Sequence, residues 1–325
     1  MPIVDRSYEV SPLKILRYLL KHMVPIFWGV SIIPFYMAWV FASGKLFPTF
    51  ILDLLASNPS SSENTAEFTT FLFALLTLGP LLGGSTLLYN DYWDSEVDRG
   101  SKRKGLFPLP QGLLSQEAVF RTSIIFMLLA VLFSLLVSPV FALLVGICLV
   151  LSLSYSTPPV RIKERAGLDV ITNMVGSGLL CSIAGWIIVK SFVDYPFVWG
   201  IASMTGVAAI YIPTTIIDHA SDKAAGVNTF AVRFGTRTAY LSGVASITIA
   251  NAVIIYMGLN HYFITPELIM VVWPVALAQV VVYALLLRKM TFKSVYYAIL
   301  SLCILLVIGN ALMLTYYVGY WGLGG

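Results

Sequence analysis

Residues 90–98 read NDYWDSEVD, and they close the run FLFALLTLGPLLGGSTLLY at 71–89. The run is apolar enough to cross a bilayer, yet it ends in one amide and three aspartates. Charged groups at that depth are expensive and mark function by default. Asn90, Asp94 and Asp98 recur at i, i+4 and i+8, so a helix stacks them on one face over two turns. Asp91 lies about 100° round from Asn90, at the edge of that face.

The rest of the chain supports a membrane reading of the run. Of 325 residues 58% are hydrophobic and 11% charged, against about 25% charged in soluble domains. Mean hydropathy is +0.86. Apolar runs of about 20 residues, the length that crosses a hydrocarbon core, recur to the C-terminus. The first 23 residues lack a signal-cleavage pattern. The runs predict an all-α polytopic protein with nine transmembrane helices near 24–43, 67–90, 117–136, 139–156, 168–189, 196–217, 239–258, 267–287 and 294–319. They form one domain, 24–325. Ahead of it, SPLKILRYLLKH (11–22) sets Leu13, Leu16 and Leu20 apart from Lys14, Arg17 and Lys21, the pattern of a helix lying in the membrane interface within residues 1–23. The loop 44–66 reads as a solvated connector.

With nine spans, 18 of the 20 Lys and Arg residues fall on the side of the N-terminus; only Lys45 and Lys190 fall on the other. By the positive-inside rule the N-terminus is cytoplasmic. Cys148, Cys181 and Cys303 lie singly in apolar runs, with no disulfide or zinc spacing. The three histidines are too scattered to suggest a metal cluster.

A second ladder, Asp218 and Asp222 in TTIIDHASDKAAG (214–226), falls at the cytoplasmic end of the sixth span. Facing ladders gather five carboxylates, an arrangement that requires cations. Oxygen ligands suit Mg²⁺, which prefers to be shared with phosphate oxygens. Basic residues flank both ladders: Lys102, Arg103 and Lys104, then Arg161 and Lys163, then Lys223, Arg233 and Arg237. This mixture describes a Mg²⁺–diphosphate site. The apolar helices around it suit a hydrocarbon tail. Ionisation of an allylic diphosphate is the chemistry such a site permits, with Tyr155, Tyr89, Trp93 and Phe107 available as π faces.

NDYWDSEVD, PLPQG (108–112), YSTPPVRIK (155–163) and DHASDKAAGVNTFAVRFG (218–235) together resemble the UbiA superfamily of intramembrane prenyltransferases. The resemblance implies a nine-helix fold and Mg²⁺-dependent transfer of a prenyl group from a prenyl diphosphate to a lipophilic acceptor. Quinone precursors, chlorophyllide-type compounds, glyceryl lipids and carotenoids are acceptors of that class. It assigns Asn90, Asp91, Asp94, Asp98, Asp218 and Asp222 to metal and diphosphate, and it matches Lys102, Arg103, Tyr155 and Lys163 to family positions. Two arginines are replaced. Many members have Arg-Pro-Leu-Pro where Phe107-Pro108-Leu109-Pro110 stands, and Arg-Pro where Val24-Pro25 stands. Lys102, Arg103 and Lys104 are the nearest substitutes for the first, and Lys21, one helical turn before Val24, for the second. The loop YSTPPVRIK favours a lipid acceptor over a small aromatic acid. The partners expected are thus the donor, the acceptor and the bilayer, with no nucleic acid.

A transporter is the principal rival, because intramembrane carboxylates also mark ion paths. Here the acids sit at one face, and nothing ionisable continues them across the midplane. The DG–AR–G–D–D pattern of CDP-alcohol phosphotransferases is absent.

Overall fold

A computed structural model describes residues 11–56, 59–100, 105, 107–262 and 266–317. The described residues are helical, with no strand among them. The amphipathic segment forms α1, Pro12–Met23. After a 3₁₀ turn, Pro25–Trp28, come α2, Gly29–Ser43, and the short α3, Thr49–Leu55. Next are α4, Ser62–Asp98, α5, Gln116–Val137, α6, Pro139–Ser156, and α7, Leu168–Ile187. Then follow α8, Phe197–Ala224, α9, Phe230–Phe234, α10, Thr236–Leu259, α11, Pro266–Leu287, and α12, Phe292–Tyr317.

Serine caps begin three of these helices. The Ser61, Ser115 and Ser138 hydroxyls each accept from the backbone N–H three residues on, at 3.1 Å. That satisfies one of the donors a helix start leaves open. Ser138 also ends α5, and Pro139 opens α6, so the two helices form a tight hairpin.

Eight described helices are long and apolar enough to span a membrane, not nine. The first expected span is the exception. Its helix, α2, has 15 residues and is about 22 Å long. It runs through the middle of the bundle, with Phe35, Trp39 and Phe41 no more than 1% exposed. The loop 44–66 also differs from expectation. It contains α3 and the start of α4, joined by Ser60 Oγ and Asn64 Nδ2 donating to Asp53 Oδ2, both at 2.9 Å. A ring stack between Phe50 and Phe68 adds to this join.

Two features position the site helices. α4 is one 37-residue helix, whose middle, Thr77–Gly84, widens into π-helical turns around Pro80. Proline has no N–H for the carbonyl four residues earlier, and wider turns relieve that mismatch. α8 solves the same problem differently. Pro213 deprives the Ala209 carbonyl of its donor, and the Tyr283 hydroxyl of α11 supplies one at 2.6 Å. The contact needs a glycine opposite, since a Cβ on Gly243 would stand 2.6 Å from that hydroxyl. Close approaches of the same kind set α7. A Cβ on Gly185 would meet the Phe35 carbonyl oxygen of α2 at 1.9 Å, and one on Gly178 the Met204 Cα of α8 at 2.8 Å. Small residues let helices come this near in an apolar medium. On the outer surface, Leu128, Leu143, Met270 and Leu285 are each more than 60% exposed, as lipid-facing side chains are.

Candidate functional site

Along α4 a single face carries Leu82, Thr86, Asn90, Asp94 and Asp98; along α8 one carries Val207, Tyr211, Thr214, Asp218 and Asp222. Each step is three or four residues, the repeat of one helix face, and each face grades from apolar to acidic. The two faces line the same cavity, of about 380 Å³. Both ladders read from the sequence therefore converge.

The loop 157–167 between α6 and α7 supplies the cations. Lys163 is buried, and its Nζ donates to Asn90 Oδ1 at 2.9 Å and to Asp94 Oδ1 at 2.5 Å. Arg161 Nη2 donates to the same Asp94 oxygen at 3.1 Å, while its Nε lies 2.7 Å from Glu164 Oε1. Arg161 takes a left-handed backbone, φ 32°, an unusual conformation for a side-chain-bearing residue and one that clusters at functional sites. Ser156 Oγ donates to Asn90 Oδ1 at 3.1 Å, so that oxygen already accepts two hydrogen bonds.

Deeper in the cavity, the Tyr155 and Tyr211 hydroxyls are 2.7 Å apart, and Asn173 Nδ2 stands 3.4 Å from Tyr155. Of the four aromatic residues expected around a cation, Tyr155 alone is among the cavity-lining residues. Tyr89 is bonded to Thr157 Oγ1 at 2.8 Å. Trp93 stacks edge-on with Tyr92, and Phe107 meets His22.

Three expected site residues stand elsewhere. Asp91 is turned from the cavity and buried, its Oδ2 2.8 Å from His22 Nδ1. The His22 contact holds it on a side of α4 apart from Asn90, Asp94 and Asp98, which line the cavity. Lys21 is exposed on α1, 5.7 Å above the Phe107 ring. Lys223 is exposed on the last turn of α8, one residue past the acidic face. Lys102, Arg103 and Lys104 lie outside the described residues.

Other residues that the sequence did not single out stand in or beside the cavity. Tyr211 and Asn173 look ordinary in apolar helices. Asp169, which reads as isolated, is fully buried. Its two oxygens accept from the backbone N–H of Gly167 at 2.7 Å and of Phe230 at 2.9 Å. It thereby ties the start of α7 to α9, just beyond the second ladder. Thr229 Oγ1 completes that tie by donating to Asp222 Oδ2 at 3.0 Å.

Asn90, Asp94, Asp98, Asp218 and Asp222 provide an all-oxygen donor set. Among the described residues, however, no three acidic, histidine or cysteine side chains are grouped closely enough to hold a metal alone. In kind, the oxygen donors match Mg²⁺, a hard cation that takes carboxylate, water and phosphate oxygens.

The family model for UbiA prenyltransferases matches residues 45–294. A digeranylgeranylglyceryl phosphate synthase from Sulfolobus acidocaldarius is 26% identical over 268 residues, 77% of this chain and 87% of that protein. Among solved structures, a UbiA homologue from Archaeoglobus fulgidus bound to GPP and Mg²⁺ superposes with a TM-score of 0.66 at 20% identity. The match covers 91% of this chain and 99% of that one. The apo UbiA homologue from Aeropyrum pernix K1 gives 0.65 at 18% identity, over 86% and 96%. The chain belongs to the UbiA prenyltransferase family.

Proposed function

We propose that the cavity binds a prenyl diphosphate with Mg²⁺ and transfers the prenyl group to a lipophilic acceptor. The observation that carries this reading is the meeting of two acidic ladders with Arg161 and Lys163 in one cavity whose remaining wall mixes apolar and uncharged polar side chains. When bound, Mg²⁺ supplies charge neutralisation to the departing diphosphate. Asn90, Asp94, Asp98, Asp218 and Asp222 are the residues that would hold it. Arg161 and Lys163 bind diphosphate oxygens by charge-assisted hydrogen bonds. Leu82, Leu151, Val207 and Ile210 line the tail's path and exclude water from the allylic carbon. Tyr155, held by Tyr211 and Asn173, presents its ring to the charge that develops there. The Sulfolobus relative favours a glyceryl lipid within the acceptor class.

The membrane arrangement belongs to the same proposal. α2 with the 3₁₀ turn before it spans about 30 Å, enough for a ninth crossing. With nine crossings the basic excess puts the N-terminus and the cavity head in the cytoplasm. α1 then lies in the interface through its exposed Leu13, Leu16 and Leu20. Family membership speaks against the transporter alternative.

The test is turnover in detergent with a panel of prenyl diphosphates and lipid acceptors, products identified by mass. Asp94→Ala and Asp218→Ala are expected to abolish turnover in folded protein, and chelation to do so reversibly. Full activity in excess chelator would sink the metal assignment.

A further inference from the structure

His22, in the last turn of α1, is 1% exposed, and both of its ring nitrogens are engaged. The backbone N–H of Leu109 donates to Nε2 at 2.9 Å. An amide N–H cannot accept, so Nε2 is the bare nitrogen and the proton sits on Nδ1. Nδ1 therefore donates to Asp91 Oδ2, at 2.8 Å. The Phe107 ring stands edge-on to the imidazole, centroids 5.3 Å apart.

One neutral imidazole thus joins α1, the back of the first ladder helix and the turn 107–112. That turn is closed by its own bonds, from Gly112 N to the Leu109 carbonyl at 2.9 Å and from Leu113 N to the Pro108 carbonyl at 2.8 Å. Met23, Leu88, Leu109, Leu114 and Val119 form a buried cluster around the junction, separate from the two larger cores. Apolar contacts would hold these segments together but would let them slide. Two directional hydrogen bonds to one rigid ring fix their register. The register matters because Asp91 adjoins Asn90, so whatever holds Asp91 to the back of α4 holds Asn90, Asp94 and Asp98 toward the cavity. Lys21, next to His22 and above Phe107, is set by the same junction. Both family arginines that this chain replaces map here, at Val24 and Phe107.

We infer that His22 is a positioning residue for the diphosphate end of the site: it pins α1 and the turn 107–112 to the back of the first acidic ladder, without touching substrate. The inference rests on the prenyl diphosphate reading above.

The test uses His22→Leu, which removes both bonds, and His22→Asn, which keeps a donor near Asp91 but loses the acceptor for Leu109. Hydrogen exchange on the full chain in detergent should show faster exchange at the Leu109 amide in both variants, with α6 and α12 unchanged. The KM for prenyl diphosphate should rise about three- to tenfold, the worth of one hydrogen bond, with kcat and acceptor KM unchanged. Pairing His22→Leu with Asp91→Leu removes the stranded carboxylate and should restore thermal stability, while KM stays raised. Unchanged Leu109 exchange, or a KM that returns with stability in the double variant, would overturn the inference. If His22→Leu does not fold, His22→Asn carries the same comparison. If the wild-type chain turns over no prenyl diphosphate, the functional reading fails, and Leu109 exchange still decides whether the junction exists.

Discussion

Asp94 receives hydrogen bonds from two cations on one oxygen, Lys163 and Arg161, and Lys163 also reaches Asn90. Its ammonium therefore neutralises the ladder, and in the proposed reading it also binds diphosphate. Lys163→Met should raise the KM for prenyl diphosphate roughly ten- to hundredfold, the value of a hydrogen bond to a charged group. Initial rates across donor concentration at fixed acceptor read this directly, and an unchanged KM would count against Lys163 as a diphosphate ligand. Residues of this kind were legible in the sequence, because a carboxylate or ammonium at a span end stands out in so apolar a chain. Their partners were not. Nothing in spacing says which way Asp91 turns from an acidic face, and a lone histidine such as His22 gains meaning only when an amide 87 residues away arrives at it. Asp169 was hidden likewise, since its partners are backbone amides, which the sequence cannot mark.

Helix α7 depends on having no side chain at two points. The Cβ of Gly185→Ala would fall 1.9 Å from the Phe35 carbonyl oxygen, and backbone cannot swing aside as a flexible side chain can. The variant should lose about 1–3 kcal/mol or more, as overpacked interiors do, read as a lower midpoint of thermal unfolding in detergent. Gly146→Ala is the control. It lies in α6 with nothing within 4 Å of the added carbon, so it should be neutral or stabilising by helix propensity. Equal midpoints for the two would refute the close approach. The existence of the long helices was plain from apolar runs. Their turns were not. A helical wheel drawn evenly through α4 misplaces its two halves, since the widened turns at Thr77–Gly84 rotate less per residue than an α-helix. Gly79, Pro80, Gly83 and Gly84 hint at a break but do not specify a π segment.

For the whole molecule, the charge partition yields a topology that can be probed from either side. A single cysteine introduced within 223–229 should react with impermeant thiol reagents applied to the cytoplasmic face. One within 57–63 should react only from the opposite face. The reverse pattern would overturn the nine-crossing proposal. The number of crossings was the least secure reading from sequence, because a central helix wrapped by protein need not be as long as one that faces lipid, and α2 is such a helix.

The described residues that line the cavity end at Thr229; α10, α11 and α12 contribute none of them. These helices grip α8 from behind, through Tyr283 on the Ala209 carbonyl, and grip one another through Asn251, Gln279 and the Leu305 carbonyl. Labour is thus divided along the chain. Directed evolution confined to the last three helices should tune heat tolerance and shelf life while the product profile stays fixed. Libraries that aim at a longer or shorter prenyl chain belong in the segments up to α8.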